Sequence, residues 1–250
     1  MVVGIVTNEK KDPGLAYTQQ VCEFLTQRGV AAYSGLVGAC PGLDPEEFPT
    51  NAKFLVVLGG DGTMLRCSHI AARHDIPLLG INLGTLGFLT DVEKTGGLTA
   101  IEKVLAGEYR TEKRMMLTTD CTPENPIALN DICIGTVGGL KYFFVYVNGQ
   151  PMGTTRADGI IVSTPTGSTA YNVAAGGPIL MPCGQMMVIT PICPHSLSSR
   201  PLVVGAEDIV RITPHQKSQI FIDGDNIGEM ERDITIRKSS YETTIIKTLT

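Results

Sequence analysis

Leu58-Gly59-Gly60-Asp61-Gly62-Thr63 sets a single carboxylate in a run of glycines. Glycine loops leave backbone N–H groups free to face phosphate oxygens, and a helix that starts just after the loop adds partial positive charge. A carboxylate in that setting repels phosphate, so Asp61 needs a proton to take or a Mg²⁺ to hold. A tight turn with Asp61 capping the helix is the plainer alternative. A second string, Arg156-Ala157-Asp158-Gly159-Ile160-Ile161-Val162-Ser163-Thr164-Pro165-Thr166-Gly167-Ser168-Thr169-Ala170-Tyr171-Asn172, runs an apolar strand into a loop of hydroxyls. Hydroxyl donors, free N–H groups and the Tyr171 ring suit a ribose, an amide or a purine. A Ser/Thr-rich turn with Ser168 as N-cap is its plainer alternative. Leu129-Asn130-Asp131 adds a polar pair beside an apolar strand, which alone also describes a strand-edge turn.

Other nucleotide and hydrolase signatures are absent. No Gly-Lys pair occurs, so there is no GxxxxGK[ST], and GxGxxG, GxSxG and HExxH are missing as well. That disfavours a P-loop NTPase, an ordinary nicotinamide dehydrogenase and a serine hydrolase. Cys and His residues do not fall at zinc spacings. His69 and His74 flank a helix and are expected to face solvent, so no metal ligand is assigned.

These residues must be held by an alternating frame. Val2 to Val6 is an apolar run with β-branched residues, and Ala16 to Arg28 carries Val21, Phe24 and Leu25 at helical spacing before Gly29. Ala31 to Ser34 reads as a short strand, Leu43 to Pro49 as a surface loop and Phe54 to Leu58 as a buried strand. A helix is expected over Thr63 to Arg73, a strand over Pro77 to Ile81 and a helix over Leu98 to Leu105. Strands alternating with helices argue for a mostly parallel sheet.

Beyond Glu108 the segments become short and β-rich: Leu129 to Ile134, Phe143 to Val147, Ile160 to Ser163, Met187 to Thr190, Ile209 to Ile212, Ile220 to Ile222, Ile234 to Ile236 and Thr244 to Ile246. One helix is expected, from Ser168 to just before Gly176. The expected organisation is therefore an α/β domain with a mostly parallel sheet over 1–108 and an all-β layered domain over 109–250.

Composition narrows the class further. The 250 residues are 43% hydrophobic and 18% charged, enough apolar matter for a core. No apolar run approaches the ~18 residues of a membrane helix, and no secretory signal pattern opens the chain. With 20 Lys+Arg against 25 Asp+Glu the net charge is −5, and no basic segment stands out to grip nucleic acid. The 7 cysteines are odd in number and read as free thiols in a reducing cytoplasm. The 28 glycines cluster at sharp turns or at places where a ligand approaches the backbone.

Gly59 to Thr63, Gly80-Ile81-Asn82-Leu83-Gly84-Thr85-Leu86-Gly87-Phe88-Leu89-Thr90, Asn130-Asp131 and Asp158 through Tyr171 occur in the order and roughly the spacing of NAD kinases. Pro191 to Leu197, Arg200-Pro201-Leu202 and Asp223-Gly224 extend the resemblance over nearly the whole chain. The first motif is shared with diacylglycerol kinases, sphingosine kinases and phosphofructokinases; the Asp158–Tyr171 string is far more specific. The resemblance implies a Rossmann-like α/β N-terminal domain and a β-sandwich-like C-terminal domain, and Mg²⁺-dependent phosphoryl transfer from ATP to the adenosine-ribose 2′-hydroxyl of NAD, giving NADP. Asp61 would accept the proton, Gly59, Gly60, Gly62 and Thr63 would cradle the ATP phosphates, and Gly62 and Arg66 would lie beside the substrate. Asn130, Asp131, Arg156, Asp158, Thr166, Thr169, Ala170, Tyr171, Asn172, Ala174 and Cys193 carry over as dinucleotide contacts.

The resemblance also implies homodimers or homotetramers in which Asp61 and Asn130 of one chain face the neighbour's Asp158 and Cys193. Two departures stand out: Asp131 where many members have Glu, and Asp225 where Gln is common. A lipid kinase would need a membrane-binding surface, and no basic amphipathic helix is evident. A dinucleotide sensor without turnover would have no use for Asp61.

Overall fold

The computed structural model describes residues 1–36, 50–85, 87–124, 126–135, 139–196 and 199–249. The loop expected from Leu43 to Pro49 lies outside them. Two compact units are present, Met1–Lys113 with Glu242–Thr250, and Arg114–Tyr241. Segments 109–113 and 242–250, grouped above with the β-rich region, pack with the first unit. The cause is a backbone pairing at the end of the chain, where Ile245 sits beside Leu78.

The first unit contains β1 (Val2–Thr7), α1 (Ala16–Thr26), β2 (Ala31–Leu36), β3 (Phe54–Gly59), α2 (Asp61–Arg73), β4 (Leu78–Asn82), β5 (Val92–Glu93), α3 (Gly97–Ala106) and the start of β6 (Tyr109–Thr119). The main strands run parallel in the order β4-β3-β1-β2. Every residue of β3 and β4 is buried, which explains their continuous apolar runs. Val21 and Leu25 of α1 and Ile101 and Val104 of α3 join Val3, Ile5, Val56, Leu58 and Ile81 in one core. The register pairs Thr7 with Leu58 and Gly59 with Asn82. The loops after β1, β3 and β4 therefore leave the same carboxyl edge, where ligands of open parallel sheets bind.

The second unit holds the rest of β6, then β7 (Ile127–Ala128), β8 (Asp131–Gly135), β9 (Lys141–Val147), β10 (Gln150–Ala157), β11 (Gly159–Ser163), α4 (Tyr171–Ala174), β12 (Met186–Ile192), β13 (Leu202–Gly205), β14 (Val210–Pro214), β15 (Ser218–Ile222), β16 (Asp225–Met230) and most of β17 (Ile234–Thr248). One sheet runs β13-β12-β11-β8-β15-β16; in the other, β10, β9, β14 and β17 are antiparallel neighbours. Ile132, Ile134, Ile160, Val162, Ile220 and Ile222 from the first meet Phe143, Val145, Val210, Ile212, Ile234 and Ile236 from the second in a shared core. The fold is thus an α/β unit joined to a β-sandwich.

Three local expectations change. Ile234–Ile236 and Thr244–Ile246 are parts of one strand, β17, because the polar stretch between them stays extended with alternating exposure. Tyr109–Thr119 forms a long strand that its charged first half concealed. The helix expected from Ser168 is a 3₁₀ turn, Gly167–Thr169, followed by the four residues of α4, with a break at Ala170 (φ −93°, ψ −126°). Ser168 is not an N-cap: its hydroxyl lies 2.7 Å from the Pro165 carbonyl, to which it donates. Side-chain bonds of this kind compete with helical backbone pairing.

Candidate active site

Asp61 is the first residue of α2, and Gly60 is its N-cap. The carboxylate does not cap its own helix. Oδ2 accepts from the Phe88 N–H at 2.7 Å, and Oδ1 accepts from the N–H groups of Leu89 at 3.0 Å and Thr90 at 3.1 Å and from the Thr90 hydroxyl at 3.1 Å. A carboxylate offers roughly four lone-pair sites. The crowded Oδ1 leaves Oδ2, with one donor, as the oxygen able to take a further proton. Gly87 makes this possible, since a Cβ there would collide with the Asp61 carboxylate.

The 82–90 turn is held in its own right. Asn82 is 2% exposed; its Oδ1 accepts from Gly84 N–H at 2.7 Å, and its Nδ2 donates to Thr85 O at 2.6 Å and Thr90 Oγ1 at 2.8 Å. Thr90 then donates to Asp61, so Asn82 orients the carboxylate through one intermediate hydroxyl. Gly59 and Gly60 bridge β3 to α2, Gly62 is exposed, and Thr63 is buried where Asn8 Nδ2 donates to its hydroxyl at 3.3 Å. Arg66 is exposed on α2, His69 is half-buried and His74 exposed.

In the second unit a cavity of about 600 Å³ opens on the face of β8 opposite the sandwich core. Strand periodicity builds it: Ile132 and Ile134 enter the core, while Asp131, Cys133 and Gly135 line the cavity. Of the expected contacts, Asn130, Asp131, Asp158, Ala170, Tyr171 and Cys193 line it. All six belong to one chain, so this cavity needs no neighbour to bring Asn130 to Asp158 and Cys193. Arg156, Thr166, Thr169, Asn172 and Ala174 do not line it, and neither does the exposed Asp225.

Asn172 is tied into its own loop. It is fully buried; Nδ2 donates to Ser168 O and Pro178 O, each at 3.0 Å, and Oδ1 accepts from the Thr190 hydroxyl at 2.6 Å. Its polar atoms brace the 168–180 turn. The Arg156 guanidinium lies 5.7 Å from the Tyr142 ring centroid, and the Thr169 hydroxyl donates to Thr166 O at 3.3 Å. The Thr166 hydroxyl is buried and makes no hydrogen bond among the described residues, an orphan that a ligand or water would satisfy.

Asp223 was not singled out for a role beyond its motif, yet it shapes the cavity wall. Its carboxylate accepts from the N–H groups of Leu129 at 2.8 Å, Asn130 at 2.7 Å and Asp131 at 3.1 Å, and its own N–H donates to Asp131 O at 3.0 Å. Gly167 closes the other side, packed so tightly on the Asn130 backbone that a Cβ would overlap it. The Thr164 hydroxyl donates to Leu129 O at 2.6 Å and accepts from Gly167 N–H at 3.0 Å. These bonds stitch the two polar strings into one wall.

Burial, reinforced by the Asp223 carboxylate, pushes the Asp131 carboxyl up to about 7. The unfolded chain ionises this group near ~3.9, so between those values the folded state keeps a proton that the unfolded state has lost. The stability contributed by neutral Asp131 is complete below ~3.9 and is lost as pH rises through about 7. Asp131→Asn is expected to raise the melting temperature more at pH 8 than at pH 5. Calorimetric scans giving the same margin at both pH values would mean that Asp131 is ionised throughout.

Among the described residues no three His, Cys, Asp or Glu side chains gather as a metal cage. Mg²⁺ is commonly held by one or two carboxylates together with substrate phosphates. That donor chemistry would place such a cation mainly on the substrate phosphates, leaving Asp61 Oδ2 open. The described cysteines, Cys22, Cys67, Cys121, Cys133, Cys183 and Cys193, are free thiols. Among the described residues no helix is long and apolar enough to cross a membrane.

Comparison with known proteins agrees with this arrangement. The ATP-NAD kinase N-terminal domain matches residues 44–109 and the ATP-NAD kinase C-terminal domain residues 129–248. An NAD kinase of Caldanaerobacter subterraneus subsp. tengcongensis is 39% identical, over 98% of this chain and 93% of that protein. One from Lachnoclostridium phytofermentans is 36% identical, over 97% and 92%. The crystal structure of an NAD kinase from Archaeoglobus fulgidus in complex with ATP superposes with a TM-score of 0.84 at 27% identity, over 99% of this chain and 94% of that one. A yeast NADH kinase complexed with NADH shares the fold, with a TM-score of 0.78 at 24% identity, over 100% and 84%. On this evidence the chain belongs to the NAD kinase family of phosphotransferases.

Proposed function

We propose that the protein transfers the γ-phosphoryl group of ATP to the adenosine-ribose 2′-hydroxyl of NAD, with Asp61 Oδ2 accepting the hydroxyl proton. The observation that carries this reading is the asymmetric solvation of the carboxylate: three donors on Oδ1 and one on Oδ2. A ribose hydroxyl is a weak nucleophile, and a base held within ~3 Å raises its reactivity at the moment of attack. Backbone donors from residues 88–90 keep the base from rotating away. Phosphoryl transfer otherwise depends on alignment and on neutralising phosphate charge.

The dinucleotide is assigned to the second unit's cavity. Asn130, Asp131 and Asp158 supply polar contacts, Tyr171, which is 48% exposed, supplies an aromatic face, and Ala170 and Cys193 complete the wall. The unsatisfied Thr166 hydroxyl, Thr169, Arg156 and Ala174 are assigned as outer contacts, and Asn172 acts by bracing the loop. Gly59, Gly60, Gly62 and Thr63 are assigned to the ATP phosphates, with Arg66 beside them.

Purified protein incubated with ATP, NAD and Mg²⁺ should form NADP, detected by coupling to glucose-6-phosphate dehydrogenase. No NADP under these conditions would end this reading. Mg²⁺, when bound, neutralises phosphate charge; EDTA added before coupling is expected to abolish turnover and excess Mg²⁺ to restore it. Full activity in EDTA would remove the cation from the mechanism.

The protein is further assigned to the cytoplasm and to a homodimer or homotetramer. Tyr171, Val173, Ile179 and Met181 are all exposed, and such apolar surface is commonly covered by a partner. Sedimentation is expected to give a dimer or tetramer; a monomer would contradict it.

A further inference from the structure

The β1–α1 connection brings a lysine to the glycine turns. A Cβ placed on Gly60 would lie 2.6 Å from Lys11 Nζ, and one on Gly84 would lie 3.6 Å from it. The ammonium therefore sits over two stretches of bare backbone, one entering α2 and one leaving β4. Among the described residues no carboxylate forms a salt bridge with it.

The loop that carries Lys11 is fixed at both ends. Asn8 N–H donates to Leu58 O at 2.9 Å, and the N–H groups of Lys11 and Asp12 donate to Asn8 O at 2.9 and 3.1 Å. Beyond Lys11, the Asp12 carboxylate accepts from Tyr17 N–H at 3.1 Å, Thr18 N–H at 2.9 Å and the Thr18 hydroxyl at 2.7 Å. The backbone of Lys11 is thus tied to the end of β3 and the start of α1, leaving the side chain to reach the glycines.

We propose that the Lys11 ammonium, carried by this loop, holds the terminal phosphates of the nucleotide donor over the Gly60 and Gly84 turns. The inference rests on the phosphoryl-transfer reading above and names a positioning cation for it. A net charge of −5 and the Asp61 carboxylate both repel a polyphosphate, and a local fixed cation near the turn offsets that repulsion. The absence of side chains at Gly60 and Gly84 is what lets the ammonium lie this close to both turns.

The test uses Lys11→Met and Lys11→Arg, with inorganic tripolyphosphate as a probe that needs no turnover. Lys11 is exposed, and its replacement should leave thermal unfolding unchanged. Loss of a charge-assisted contact at an exposed site should weaken tripolyphosphate binding in calorimetry, and raise the KM for ATP, by about tenfold. The KM for NAD should not move, and Lys11→Arg should recover most of the loss. Added salt should raise the KM for ATP more steeply in the wild type than in Lys11→Met. Unchanged tripolyphosphate affinity and KM for ATP in Lys11→Met would overturn the proposal, as would an equal rise in the KM for NAD. Should the wild type form no NADP from ATP, the phosphoryl-transfer reading fails, while the calorimetric comparison still decides whether Lys11 binds polyphosphate.

Discussion

Asp61→Asn is expected to lower kcat by roughly 10²–10⁴ while leaving the affinity for NAD nearly intact. Two effects combine. The amide has lost the basic oxygen, so on the proposed mechanism the ribose hydroxyl would have to surrender its proton to water. The site around residue 61 is also made of donors: three N–H groups and the Thr90 hydroxyl point at the carboxylate. An Asn side chain turns its own NH₂ toward at least one of them, and the 88–90 segment must shift to avoid the conflict. The cavity assigned to NAD draws its lining from the second unit and has no residue from this cluster. Steady-state kinetics and calorimetry on the same preparation separate the two readouts. Turnover at the wild-type rate would remove Asp61 as proton acceptor; a parallel collapse of NAD affinity would make its role structural.

The second large effect is expected at Asp223, a residue that holds the backbone of the cavity wall. Its φ is +50°, in the left-handed region where Asp and Asn are tolerated better than most residues. Its carboxylate is the shared acceptor for the N–H groups of Leu129, Asn130 and Asp131. Asp223→Ala leaves those donors without their partner and puts an alanine at a left-handed position. Hydrogen bonds to charged groups contribute ~1.5–3 kcal/mol each, and the backbone adds ~1–2 kcal/mol. Even with partial replacement by water, a loss of ~4 kcal/mol is expected, equivalent to a melting temperature lower by roughly 8–16 °C. The 129–131 turn should loosen, and NAD affinity should fall with it. Asp223→Asn keeps the backbone preference and one acceptor oxygen, so it should fall between the two. Thermal unfolding in that order, wild type above Asn above Ala, is the expected result. An alanine variant that melts and binds NAD like the wild type would mean that the turn supports itself.

Much of this architecture can be read from residue types alone. The buried runs at Val2–Thr7, Phe54–Gly59 and Leu78–Asn82 stand out because a parallel strand covered on both faces has no polar side. In Asp131-Ile132-Cys133-Ile134 the period of two matches the division found in the fold, with Asp131 and Cys133 lining the cavity and Ile132 and Ile134 in the core. Asp61 is conspicuous as a carboxylate among glycines, and the Asp158–Tyr171 string as hydroxyls after an apolar strand. Strands with charged surfaces were much harder to see: Tyr109–Thr119 and the centre of Ile234–Thr248 are extended by backbone pairing, which charged side chains neither require nor forbid.

Tertiary structure alone decided who the partners are. The donors to Asp61 lie 27 to 29 positions further along the chain, and Asp223 reaches back over 92 to 94 positions. Nearly all of these partners are backbone N–H groups, which every residue except proline carries, so residue type leaves no trace of them. That Asn172 accepts from Thr190, 18 positions further along, is likewise invisible in the residue types. Lys11 carries no signal of its own in the sequence, because its significance depends on the Thr7–Leu58 and Gly59–Asn82 registers. Those registers bring three loop starts to one sheet edge, and pairing between parallel strands is a property of distant segments that no local spacing encodes.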